Sequence, residues 1–351
     1  MTCQTSAWKE LVSRSFRKKF TFPVEAQHNW FPGHMHKGLG QIQRRMADID
    51  CVLEVHDARI PVSGRNLTFR ENLNKSRPHI LILNKQDLFP EEEKDKVRKA
   101  LISDTLVDVV WTNCKERDDP GLTSLIPKVS DILKDSVSQR VSQESLRPYS
   151  TVLVVGIPNV GKSTLINKLR GYGLRIGGRP APVAAKPGWT KSVGEKIRVS
   201  DEPVIYLLDS PGISVPHITD MDAGMKLAAC GTLRDHLVGE EHICDYILHW
   251  LNIHHNFQYV ELMGLDQPED DGTIMLAKAA IKAKKFKRVR DMSQSFTFKT
   301  VPHLLFMANK FLKLFRAGAF GPANLDTDIF SSRLNNINDA SMRRSSKAKV
   351  Y

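Results

Sequence analysis

The stretch Thr151–Thr164 reads TVLVVGIPNVGKST. Its first five residues are hydroxyl-bearing, β-branched or leucine, the pattern of a buried strand. From Gly156 to Ser163 it fits in full the spacing of glycine, four residues, glycine, lysine and serine. A helical pattern, Lys162–Leu169, follows at once. A strand, a glycine turn and a helix start in this order make a cradle for phosphate. The glycines let the backbone turn its N–H groups toward phosphate oxygens, and the helix start adds the positive end of its dipole. Lys162 brings a positive charge and Ser163 a hydroxyl suited to Mg2+. Asn159, Val160, Gly161 and Thr164 complete the loop.

Working outward, Cys51–Val55, Ile80–Leu83, Val107–Trp111, Val152–Val155 and Val204–Leu208 also read as strands. Helical patterns fall between them, as at Gly38–Ala47 and Pro90–Leu101. The alternation predicts an α/β domain, a mostly parallel sheet with helices on both faces. Such sheets bind ligands beyond the carboxyl ends of their strands, and the remaining motifs stand at those ends. Asn84-Lys85-Gln86-Asp87 follows Ile80–Leu83. The Asp87 carboxylate can accept from the ring N–H and exocyclic amine of guanine, whereas adenine would leave it unpaired. Asn84 can ground the neighbouring loops, and the Lys85 stem can lie over the base. Asn113 and Cys114 follow Val107–Trp111, where a backbone N–H can meet the guanine oxygen. Asp209-Ser-Pro-Gly212 closes Val204–Leu208: Asp209 suits a water-held Mg2+, and the Gly212 N–H suits a terminal phosphate. Thr190, between this box and the phosphate loop, is the natural switch threonine on Mg2+.

The boxes resemble those of GTPases, in a shifted order. The usual run is phosphate loop, switch threonine, DxxG box, guanine box. Here residues 84–87 and 113–114 come first and 156–163, Thr190 and 209–212 come after. The cyclic order is kept and the starting point has moved, which is a circular permutation. With the segment WFPGHM (Trp30–Met35), the segment DARIP (Asp57–Pro61) and Pro187-Gly188 before Thr190, the chain resembles the circularly permuted GTPases that assist large ribosomal subunit assembly in bacteria and mitochondria. The resemblance spans about residues 28–262. It implies binding and hydrolysis of GTP to GDP, coupled to maturation of the mitochondrial large subunit through its rRNA and proteins. It also implies a place in the matrix, peripherally on the inner membrane. Its metals would be Mg2+ on Ser163, Thr190 and Asp209, and K+ beside Asn159, where a monovalent cation can neutralise transition-state charge as an arginine finger does. Ile213 follows Gly212 and cannot orient a water. The resemblance offers His34 of WFPGHM as the catalytic group. Ala185-Lys186 and Lys191 depart from the family pattern around the switch. Two other readings stay open: a membrane-associated regulatory switch with a protein partner, and a nucleotide-dependent scaffold that barely hydrolyses GTP.

Composition sets the frame. The chain has 351 residues, 41% apolar and 26% charged, which excludes a disordered or collagen-like chain. Its formal charge of +12 favours a polyanionic partner. No run of 18 uncharged apolar residues occurs, so no transmembrane span is expected. Five scattered cysteines give no disulfide framework or zinc ribbon. Residues 1–24 hold five basic side chains and one acid, Glu10, and the segment 1–27 reads as a mitochondrial transit segment or a basic arm. Residues 28–216 form the permuted domain, and 217–330 a smaller all-helical domain that meets RNA. Residues 331–351 form a disordered basic tail. Between Leu276 and Arg290 lie seven basic side chains and no acid, on a plausible helix.

Overall fold

A computed structural model describes residues 16–22, 48–65, 77–102, 106–140, 148–174, 196–209, 218, 220–290 and 297–330. The expected helix Gly38–Ala47, His34, Thr190, Gly212 and the tail 331–351 lie outside the described residues. The chain divides into two compact units. The nucleotide unit takes its described residues from 48–218 and 323–330; the second unit takes 16–22 and 220–322.

The nucleotide unit is built on six strands: β1 (Cys51–Asp57), β2 (His79–Asn84), β3 (Leu106–Thr112), β4 (Ser150–Val155), β5 (Lys196–Asp201) and β6 (Val204–Asp209). Their order across the sheet is β3-β2-β1-β4-β6-β5. All neighbours are parallel except β5, which runs antiparallel to β6 at the edge. β1, β2 and most of β4 are buried throughout, as strands covered on both faces must be. On one face Leu53, Ile205 and Leu207 meet Leu125 and Val129 of α2 (Pro120–Arg140) and Leu169 of α3 (Lys162–Leu174). On the other, Leu81 and Leu83 pack with Phe89, with Val97 and Leu101 of α1 (Lys94–Leu101), and with Phe330. β4 sits mid-sheet, and the sheet reverses its sense of growth beside it. The loop after β4 therefore opens into the crevice where such sheets bind ligands.

The second unit is mostly helical: α4 (Met221–Ala229), α5 (Asp235–Val238), α6 (Glu240–Ile253), α7 (Gln258–Met263), α8 (Gly272–Lys282) and α9 (Leu304–Ala317). It is not all-helical. Strands β7 (Phe286–Arg290) and β8 (Phe298–Pro302) pair antiparallel between α8 and α9. The basic run expected to be one helix thus ends its helix at Lys282 and turns at Ala283-Lys284, with Lys284 at φ 53. Beyond it Phe286–Arg290 pairs as a strand with Phe298–Pro302, although its composition continues that of the helix. Residues 16–22 belong to this unit. Phe20 is buried against Tyr246, and Arg17 forks onto Asp245 at 2.7 and 3.0 Å.

Candidate nucleotide-binding site

The carboxyl ends of β2, β3, β4 and β6 carry the sequence motifs, and parallel pairing sets them side by side. Asn84 pairs with Thr112 across β2 and β3, and Val154 with Asp209 across β4 and β6. One side chain ties the ends together. Asn84 Nδ2 donates to the Val160 carbonyl of the phosphate loop at 2.7 Å. Its Oδ1 accepts from the Cys114 N–H at 3.1 Å and the Thr112 hydroxyl at 3.3 Å. Three motifs separated by up to 76 residues thus share one buried amide.

The phosphate loop is shaped by its glycines. Gly156 has φ +153, and a Cβ there would lie 2.2 Å from the Val55 carbonyl. Gly161 has φ +102, and a Cβ there would lie 2.3 Å from Asn84 Nδ2. Asn159 takes the left-handed conformation at φ 62, one that asparagine tolerates better than most residues. Lys162 is buried, and its Nζ donates to the Gly156 and Ile157 carbonyls, 2.8 Å each. Burial lowers the ammonium to about 8, and the charge of Asp209 only partly offsets this. Burial likewise raises Asp209 above the ordinary carboxylate range, against the pull of Lys162. A lysine and a carboxyl both displaced by burial fit a site completed by charged ligands, phosphate for one and a cation for the other. Ser163 and Thr164 open α3 beside them.

The guanine-box end is held from below. Lys85 adopts φ 61, and its Nζ donates to Asp57 Oδ2 at 2.8 Å. Asp57 is fully buried and also takes Arg59 Nε and Nη2, both at 2.9 Å. Burial alone would raise its carboxyl, but the charges of Arg59 and Lys85 hold it far below the usual range. Asp87 is exposed, with Lys115 Nζ 3.9 Å away. Gln86 donates to Asp119 Oδ2 at 2.5 Å, and Asp119 also accepts from the Asn113 N–H at 3.0 Å and the Leu122 N–H at 2.9 Å. Cys114 is buried, its thiol pushed up to about 12 by desolvation, and its backbone N–H is held by Asn84 Oδ1. Asp119 is a support that motif reading missed; Asp57 and Arg59 stand in the DARIP segment, but their hold on Lys85 was not part of that reading. Asp119 does carry a local signal, since an aspartate before Pro120 at a helix start is a capping position.

A phosphate loop at the centre of a mostly parallel sheet, with a guanine box earlier in the chain but adjacent in space, defines a circularly permuted P-loop GTPase. A family model described as a 50S ribosome-binding GTPase matches residues 151–285. The Mitochondrial GTPase 1 of Aedes aegypti is 41% identical over 91% of this chain and all of its own length. The Mitochondrial ribosome-associated GTPase 1 of Ictalurus punctatus is 43% identical over 90% of this chain and 97% of its own. A solved structure of GDP-bound TM YlqF shares the fold, with a TM-score of 0.51 and 22% identity over 81% of this chain and 97% of that one. The chain belongs to the mitochondrial ribosome-associated GTPase 1 family.

Proposed function

We propose that this GTPase binds GTP at the carboxyl edge of its sheet and hydrolyses it to GDP and phosphate while assisting maturation of the mitochondrial large ribosomal subunit. The observation that carries the reading is Asn84, whose one buried amide joins the phosphate loop, the guanine box and the Cys114 loop. In this reading Asp87 takes the base edge, and the Asn113-Cys114 backbone, whose N–H groups now donate to Asp119 and Asn84, would share a donor with the guanine oxygen. Lys85 lines the base with its stem. Gly161, Lys162, Ser163 and Thr164 hold the phosphates, with Asn159 and Val160 shaping the loop above them. Ser163 and Asp209 are the described residues that would hold Mg2+, with Thr190 joining from the switch. The metal would neutralise charge between the terminal phosphates. K+ beside Asn159 and catalysis by His34, with Gly212 at the terminal phosphate, complete the reading.

Ribosomal RNA is the partner favoured by the second unit. Cross-strand register places Phe286, Arg288, Arg290, Phe298 and Thr300 on one face of the β7–β8 ribbon. Phe298 is 69% exposed and Phe286 45%. A membrane-surface element puts apolar groups on one side and cations on the other. Here guanidinium and aromatic groups share a face, which suits phosphates and stacked bases. The enzyme would work in the matrix, peripherally at the inner membrane, where its +12 charge meets rRNA and anionic lipid. A transit segment, on this reading, ends before Phe16, because Arg17 and Phe20 are built into the folded unit; a mature chain starting after Phe20 in mass spectrometry would refute that boundary. The main test is GTP turnover in potassium buffer with and without mitochondrial subunits. Stimulation by the large subunit and none by the small one is expected. Guanine-nucleotide binding without stimulation would overturn the assembly role and favour a membrane or protein-partner switch.

A further inference from the structure

The chain returns to the nucleotide unit after leaving it. Residues 323–330 follow α9 by a short turn and lie in the nucleotide unit. The Ala323 N–H donates to the Leu88 carbonyl and the Leu325 N–H to the Arg59 carbonyl, both at 2.9 Å. The Asp326 carboxylate is fully buried and accepts from the Val62 N–H at 2.8 Å, the Ser63 N–H at 2.9 Å and the Ser63 hydroxyl. Phe330 is buried in the cluster of Leu81, Leu83 and Phe89. The two segments bridged in this way, 59–63 and the turn at Leu88, flank the guanine box. Their side chains meet at Asp57, which holds Arg59 and Lys85 together.

We propose that residues 323–330 are a strap that sets the affinity of the guanine pocket, with Asp326 as a positioning residue acting through Asp57 and Lys85. The proposal rests on the guanine-nucleotide reading of the site. Lys85 must sit at φ 61, which a lysine holds only when its surroundings fix it. Its ammonium is fixed by Asp57. Asp57 is fixed by Arg59, and the Arg59 backbone by the strap. Without Asp326 two backbone N–H groups and a hydroxyl lose a buried acceptor, and the 59–63 turn is released. The pocket must then be rebuilt each time a nucleotide binds, and affinity falls by that amount. By linkage, a bound nucleotide must tighten the strap in return.

The test uses the full chain and a fluorescent GDP analogue. Binding to the unaltered protein is measured first; no binding there refutes the guanine-nucleotide reading and the strap with it. Given binding, Asp326→Ala is expected to weaken GDP about tenfold, through faster release, the size of a typical coupling between sites. KM for GTP should rise in step, with kcat at saturation within about twofold, a split that marks lost binding and intact chemistry. Asp326→Glu should recover part of the affinity. In the unaltered protein, GDP should slow hydrogen exchange at the Ala323 and Leu325 amides. A variant that loses thermal stability but keeps its GDP affinity would overturn the proposal. Exchange at 323 and 325 that ignores GDP would overturn it even if the variants fail to fold.

Discussion

Gly161 stands where a side chain cannot. Its φ of +102 is strained for any L-residue, and a Cβ would press on Asn84 Nδ2 at 2.3 Å. Gly161→Ala must therefore move Asn84, and Asn84 is what joins the phosphate loop to the two base-reading loops. The expected result is a loss of at least ~2 kcal/mol in GDP affinity, the scale of a buried polar group left unsatisfied, read by titration calorimetry; affinity within twofold of the parent would mean that Asn84 is not the tie. Much at this scale was legible in the sequence, because glycine, lysine and asparagine at fixed spacing report backbone demands directly. That Asn84 grounds neighbouring loops followed from that; that its one amide reaches Val160, Thr112 and Cys114 together did not. What stayed hidden were supports with no spacing rule. Asp57, Arg59 and Asp119 act through geometry set by strand ends far apart in the chain; the DARIP segment marks Asp57 and Arg59 as a motif, but nothing local says that Asp57 lies buried and holds Lys85.

The β7–β8 ribbon was illegible at the scale of the element. Phe286–Arg290 offers only Phe286 and Val289 among basic residues, and the same run continues the composition of α8. β5 escaped for a similar reason, since Ile197 and Val199 alternate with Lys196 and Arg198 at an exposed edge. The central strands were legible because burial on both faces demands uninterrupted apolar runs. The ribbon's two kinds of side chain give two separable effects. Arg288→Ala should reduce the dependence of RNA binding on salt, lowering the log–log slope by about 0.7, the value for one phosphate contact on a single strand. Phe298→Ala should leave that slope unchanged and weaken binding by about 1–3 kcal/mol, the worth of one stacked base. Fluorescence anisotropy on an unstructured RNA across a salt series reads both. Variants indistinguishable from the parent, or a parent that prefers anionic vesicles to RNA, would rule the ribbon out as an RNA face.

For the molecule as a whole, the permutation was legible because motif order survives in the sequence even though the strand order of the sheet does not. The strap was not: Asn324, Leu325, Asp326 and Phe330 show no period, and they read as the end of the second unit. The stability of the nucleotide unit rests partly on a buried cluster that no motif flagged. Glu54 and His56 of β1 lie on one face; His56 Nε2 is 2.8 Å and His79 Nε2 2.9 Å from the Glu54 carboxylate, and Arg65 Nη2 donates to it at 2.9 Å. Burial pushes the Glu54 carboxyl up, but Arg65, His56 and His79 outweigh it and hold it well below its ordinary value. Burial lowers His56, chiefly by desolvation, against the pull of Glu54. Both shifts act in one direction. A histidine lowered in the fold takes its proton more readily in the unfolded chain below about pH 6.5, and a depressed glutamate does the same below about pH 4.5, so stability is present at neutral pH and lost on acidification. The His56 share is lost as the pH falls from about 6.5 toward the group's lowered value in the fold. His249 in the second unit is also lowered by burial, so its transition falls with acid as well. Calorimetry separates the two, because GDP raises only the transition of the unit that binds it, by about 2.7 kcal/mol at a hundredfold excess over Kd. The GDP-sensitive transition should fall between pH 7.5 and 5.5 in the parent. In His56→Gln it should start lower and fall less, since the variant loses packing at every pH but no longer carries the titrating group. An unchanged pH slope in that variant would assign the acid sensitivity to other groups and leave Glu54 and His56 as a structural ion cluster alone.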